Sequence, residues 1–97
     1  MRRPAQIPIN QFQLAILLNE KEKEDYKYLL EKGVYCGKCG DIAKGGVVVE
    51  QMFLTDLNDI YVLGACKICN GRVARTMEFG EDKVFYEKAT EFRKAIK

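Results

Sequence analysis

The order of apolar and polar residues predicts helices in both end regions of the chain and strands between them. Residues 10–18 are apolar on nearly every side of a helix, since Phe12, Ala15 and Ile16 form one stripe and Leu14, Leu17 and Leu18 form another. A segment of this kind is buried or meets a partner. We predict a helix here. A buried strand is the alternative, because periodicity alone does not separate the two.

A second helix is predicted for residues 20–32. Asn19 stands three residues before Glu22, which is the pattern of a capping box, and acidic residues in the first turn suit the positive end of the helix dipole. Tyr26 and Leu30 follow at helical spacing, and Gly33 marks the end. We therefore expect a break near Asn19 between two helical segments.

Three strands are predicted in the middle of the chain, at 47–54, 60–65 and 72–79, with residues 56–59 as a turn. Simple alternation places Val47, Val49 and Phe53 on one face of the first strand, and Val48, Met52 and Leu54 on the other. In the third strand, Val73, Met77 and Phe79 share a side with Arg75. Because the first two strands are apolar on both faces, each face needs a cover. The two helical segments can supply these covers, and a homodimer contact is the other solution.

The last segment, 82–97, carries one apolar stripe of helical spacing, formed by Phe85, Ala89, Phe92 and Ile96. Asp82 is the predicted N-cap. Residues 83–86 could instead form a fourth strand beside the third. We predict a C-terminal helix that covers one face of the sheet.

Four cysteines, the only ones in the chain, form two C-x-x-C pairs: Cys36 with Cys39, and Cys66 with Cys69. Residues 40–65, which are 26 residues, separate the pairs, and the chain has no histidine. Two residues between cysteines let a tight turn aim both sulfurs at one point, and two such turns complete a tetrahedral shell. Each turn favours a residue that tolerates positive φ after its second cysteine. Gly40 and Asn70 stand at those positions. The sequence therefore predicts one structural zinc ion bound by four cysteines.

Other uses of the cysteines fit less well. Iron is the alternative metal, because thiolate ligands limit the choice of metal ion without determining it. Two disulfides are typical of a secreted chain. A redox C-x-x-C needs only one pair and lies at the start of a helix. Here turn residues follow both pairs.

Cations cluster near the cysteines in sequence: Lys38, Lys44, Lys67, Arg72 and Arg75. Four thiolates on a divalent ion leave a net charge of about −2, which these cations could simply offset. The functional alternative is a patch that contacts nucleic-acid phosphates. Glu50, Asp56 and Asp59 fall toward the opposite end of the predicted ribbon.

Length points to one small domain, and the predicted helices and strands make it α+β. The 97 residues are 47% hydrophobic with a formal charge of +2, which argues against a protein that coats nucleic acid by bulk charge. Its expected parts are a flexible arm (1–9, with Arg2 and Arg3), a helical segment (10–33), a four-cysteine unit (34–79) and a C-terminal helix (80–97). No apolar run is long enough for a membrane helix, and no signal-type region follows Arg2-Arg3, so we expect a cytoplasmic location.

Residues 35–79 resemble a zinc ribbon, through the Cys36-x-x-Cys39-Gly40 knuckle, the central hairpin and the Cys66-x-x-Cys69 knuckle. The resemblance implies a three-stranded antiparallel sheet and contact with nucleic acid or protein, without choosing between them. Rubredoxins are similar in spacing but carry a proline where this chain has Lys67. We expect no enzyme and no small-molecule substrate, because there is no histidine base and no Gly-rich phosphate loop.

Overall fold

The computed structural model describes residues 6–79 and 82–95, and has the expected α+β composition. In chain order the elements are β1 (Ile7–Ile9), α1 (Gln11–Leu17), α2 (Glu20–Lys32), β2 (Tyr35–Cys36), β3 (Asp41–Ile42), β4 (Val47–Leu54), β5 (Ile60–Cys66), β6 (Arg72–Met77) and α3 (Lys83–Ala95). Of the described helices, none is long and apolar enough to cross a membrane.

The main sheet has four antiparallel strands in the order β1-β4-β5-β6, rather than the three predicted. The additional strand, β1, pairs with the outer edge of β4 and lies in the segment that we expected to be an arm. Its central residue, Pro8, lacks an N–H donor and is therefore suited to an edge strand. Residues 1–5, including Arg2 and Arg3, lie outside the described residues. A separate two-stranded sheet, β2-β3, carries the first cysteine pair.

The two N-terminal helices form as predicted, with a break at Leu18–Asn19. Asn19 accepts a hydrogen bond from the Glu22 N–H, while the Glu22 carboxylate accepts one from the Asn19 N–H, each at 2.8 Å. A second capping box opens α1, where Asn10 and Gln13 make the same reciprocal pair. Each helix therefore satisfies two of its free N-terminal donors locally.

A β-bulge in β4 overturns the predicted faces of that strand. Val49 pairs with Gly64 and Gln51 pairs with Leu63, so that Glu50 is the extra residue and the alternation changes parity there. The residues on the core face are consequently Val47, Val49, Met52 and Leu54. Val48 and Phe53 lie on the other face.

All three helices pack against this one face, which corrects the expectation that helices cover both. The main core combines Leu14, Leu17 and Leu18 from the N-terminal segment, Phe85 and Ala89 from α3, and sheet residues such as Met52, Leu54, Ile60 and Val62. The opposite face presents Val48, Phe53, Tyr61, Leu63 and Ala74, which belong to neither core. Val48 and Ala74 are exposed, whereas Phe53, Tyr61 and Leu63 are half-buried. One stripe of α1 is also exposed, with Phe12 at 83% and Ile16 at 67%.

The C-terminal segment is a helix from Lys83, so residues 83–86 are not a fourth strand. Asp82 accepts a hydrogen bond from the Phe85 N–H at 3.1 Å, as expected of an N-cap. The Phe85 ring stacks on Phe79 after β6, with centroids 3.5 Å apart. Phe92 packs on the core as well, while Ile96 lies outside the described residues. Near the other end of α3, Arg93 donates hydrogen bonds to Asn58 Oδ1 and to the Thr55 carbonyl in the β4–β5 turn.

A smaller second core lies at the cysteine end of the sheet. Its buried members are Val34, Cys36, Ala43, Val47, Cys66 and Val73. Leu30 of α2 packs against both cores and so links them. Cys36 and Cys66 therefore belong to a small local core, Cys69 packs against it, and Cys39 is exposed.

Candidate metal centre

The two cysteine pairs face each other across the end of the fold. Cys36 ends β2 and Cys66 ends β5, while Cys39 and Cys69 lie in the turns that follow. All four Sγ atoms lie within 4.8 Å of one another. Contacts cross between the pairs, with 3.4 Å from Cys36 Sγ to Cys69 Sγ and 3.9 Å from Cys39 Sγ to Cys66 Sγ. The four cysteines are free thiols, and these separations far exceed the roughly 2.05 Å of a disulfide.

Both turns have the same backbone geometry, as the sequence predicted. The Gly40 N–H donates to the Cys36 carbonyl at 2.9 Å, and the Asn70 N–H donates to the Cys66 carbonyl at 2.8 Å. The residue after each second cysteine has positive φ, +73° at Gly40 and 60° at Asn70. Gly71 has a different reason to be glycine, because an added Cβ there would lie 3.2 Å from Cys69 Sγ.

Backbone N–H groups turn toward the sulfurs and favour thiolates. The Cys39 N–H donates to Cys36 Sγ at 3.5 Å, and this bond is the largest cause of the lowered pKa of Cys36. Hydrogen bonds from the Cys69 and Ile68 N–H groups lower the pKa of Cys66 to about 7. Cys39 differs, since its thiol is hydrogen-bonded to Cys69 and Cys36, which raises its pKa to about 12.

The donor set fits one tetrahedral ion. Four sulfurs at about 2.3 Å from a central zinc ion are about 3.8 Å apart, close to the separations seen between the pairs. Cys36 and Cys66 are buried, whereas Cys39 is exposed. The cluster could hold a metal ion, and all four of its donors are protein sulfurs, which leaves no open position for a substrate.

The five cations singled out from the sequence do not form one patch. Lys38 Nζ donates to the Cys69 carbonyl at 3.4 Å and so ties one turn to the other. Arg72 forms an ion pair with Glu50. Glu50 is the bulge residue of β4 and therefore does not lie at the hairpin end, where the sequence analysis placed it. Arg75 lines a different groove, of about 640 Å³, together with the acidic residues Asp25 and Glu78.

Lys44 and Lys67 do come together, in a cleft of about 440 Å³ between α2 and the loop before β4. The other wall of this cleft supplies Lys27 and Lys32, which the sequence analysis did not connect with the cysteines. Their spacing of five residues in a charged helix gave no signal of a site. Only the packing of α2 beside the second cysteine pair brings them there.

A scan against protein-family models finds no match to this chain, and comparisons with curated proteins and with solved structures find no similar protein either. The resemblance to zinc ribbons therefore rests on the two cysteine turns and the hairpin between them.

Proposed function

We propose that the protein is a non-enzymatic, zinc-ribbon-like adaptor that contacts nucleic acid or a nucleic-acid-processing complex through its cysteine end. The convergence of four sulfurs from two matched turns carries the metal part of the proposal. Zinc suits an all-sulfur tetrahedral shell and needs no redox partner. Its role is structural, because it joins β2-β3 to the β5–β6 connection.

The donor groups of the chain favour a role without enzyme chemistry. The chain has no histidine, and a four-sulfur shell gives a metal-bound water no place. In the two grooves of about 640 and 440 Å³, every charged lining residue is exposed, so neither groove holds a buried acid–base pair. An adaptor role needs neither.

Contact with nucleic acid is favoured by the lysines beside the metal centre. Lys27, Lys32 and Lys67 form no ion pair with any described carboxylate, so that their charge is available to an external anion. The whole chain carries only +2, and a local cluster is therefore the means by which it could bind phosphates.

Native mass spectrometry of the intact protein tests the metal. We expect one zinc ion per chain and a colourless solution. A red protein with one iron ion would instead identify a rubredoxin-like electron carrier. A metal-free chain whose mass is lower by four hydrogen atoms, as two disulfides require, would refute the metal site. Zinc-loaded protein should also bind a labelled oligonucleotide with an affinity that falls as salt rises.

A second candidate function is self-association. The sheet face opposite the helices is largely apolar, with Val48 50% exposed and Phe53, Tyr61 and Leu63 half-buried. Exposed apolar patches of this kind mark interaction sites in many soluble proteins. The same native mass spectrum tests self-association, because it reports the number of subunits. A dimer that Leu63→Lys converts to a monomer supports pairing through this face, and a strictly monomeric wild-type protein refutes it.

A further inference from the structure

We propose that the cleft between α2 and the loop at 44–47 binds the phosphate backbone of a single nucleic-acid strand. This inference rests on the proposed function and gives it a site. Lys27 and Lys32 form one wall and Lys44 and Lys67 the other, with Glu31 the one carboxylate among the lining residues. Lys44 forms an ion pair with Asp41 at 3.6 Å, so three lysines without a described carboxylate partner, Lys27, Lys32 and Lys67, remain against Glu31 and leave a net positive concave surface.

Charge compensation of the metal centre does not explain this arrangement. Lys38, which bonds the Cys69 carbonyl, and Lys67, which follows Cys66, are placed to offset the thiolates. Lys27 and Lys32 belong to α2, an element that carries no cysteine. A cation at the last turn also stabilises a helix end, but that accounts for Lys32 alone.

The ribbon wall of the cleft is held in place by the second cysteine turn. The Lys67 N–H donates to the Gly46 carbonyl at 3.1 Å, and Lys67 Nζ lies 3.8 Å from where a Cβ on Gly46 would stand. Gly45 similarly packs against the Ile68 side chain. Lys67 is therefore positioned directly by the backbone of the second cysteine turn, which holds two of the four proposed metal ligands.

A single strand suits this site better than a duplex. Lysines on two facing walls can reach successive phosphates of one flexible strand, whereas a rigid duplex meets only the rim. Tyr28 is 68% exposed and stands one helical turn before Lys32. Bases of a single strand stack on such exposed aromatic rings beside a basic groove.

The test measures binding of a fluorescein-labelled 12-nucleotide oligo-dT by zinc-loaded protein across a range of salt concentrations. Each phosphate contact to a single strand contributes about 0.7 to the slope of log K against log salt. We expect Lys27→Ala/Lys32→Ala to make that slope shallower by about 1.4. Lys21→Ala/Lys83→Ala is the matched control, because both residues are exposed, lie outside the cleft and remove the same charge.

The outcomes separate the site from the function. Oligo-dT binding that is unchanged in the cleft variant, with zinc content intact, overturns the cleft but leaves the adaptor role. No binding by the wild-type protein overturns the nucleic-acid role itself. Equal or tighter binding of the corresponding duplex overturns the assignment to a single strand. An equal change of the salt slope in the control variant overturns the cleft, because it shows that only total charge matters.

Discussion

At the scale of single residues, some positions that require glycine or positive φ can be predicted from the sequence and others cannot. Gly40 and Asn70 could be predicted to take positive φ, because the chemistry of a cysteine turn demands it. The need for glycine at position 64 could not be predicted, because it comes from a contact with the neighbouring strand. A Cβ at Gly64 would stand 2.1 Å from the Val48 carbonyl oxygen, on a strand that only the fold brings near.

We therefore expect Gly64→Ala to destabilise the protein by about 3 kcal/mol, since the new methyl group must displace backbone rather than a flexible side chain. Urea denaturation of the zinc-loaded protein measures the change. Gly37→Ala is the control, because nothing lies within 4 Å of its added Cβ, and it should stay within about 0.5 kcal/mol of wild type. Similar losses in the two variants would contradict the steric argument.

At the scale of elements, the positions of helices and strands followed from local pattern, but the faces of β4 did not. Capping residues and apolar spacing are local signals, and the Asn10–Gln13 box has the same spacing in the sequence as the Asn19–Glu22 box. The bulge at Glu50 leaves no such mark in the sequence. One inserted residue exchanged the sides of Met52, Phe53 and Leu54.

Deleting Glu50 tests this account of the strand. The deletion would give Val47, Val49, Met52 and Leu54 a regular alternation on the core face. It loses a largely exposed ion pair with Arg72, which contributes at most about 1 kcal/mol. We expect this variant to fold, with a stability within about 1 kcal/mol of wild type by urea denaturation.

Deleting Val48 instead is the matched control, because it turns Val47 out of the core and should prevent cooperative folding. Combining the Glu50 deletion with Gly64→Ala asks whether the bulge imposes the glycine. A smaller cost of Gly64→Ala in that background would show coupling between the two sites. Strictly additive costs would show that Gly64 is required for another reason.

At the scale of the whole molecule, the two cores divide the fold into parts with different sources of stability. The main core joins the three helices to the hairpin half of the sheet and contains no cysteine. The smaller core surrounds Cys36 and Cys66 and contains few large side chains. This division could not be deduced from the sequence, because the apolar stripes show which residues are buried but not which cluster they join.

Metal removal should therefore act on one end of the protein. Structural zinc binding contributes on the order of 10 kcal/mol at neutral pH, and the second core has little to replace it. After treatment with a strong chelator, we expect amides of residues 34–47 and 64–73 to lose protection in hydrogen-exchange mass spectrometry. Amides of α1, α3 and residues 52–62 should keep it, since the main core remains packed.

The same experiment on Cys39→Ser separates loss of metal from an effect of the chelator, because an exposed cysteine is replaced and the two buried ones remain. Its exchange pattern should match that of the chelated wild type. Uniform loss of protection would mean that the sheet depends on the metal along its whole length. Unchanged protection would mean that the four sulfurs hold no ion that matters to the fold. If protection is lost only at the cysteine end, the loop at Gly46 is disordered as well. We then expect the zinc-free protein to lose oligo-dT binding while its helices persist.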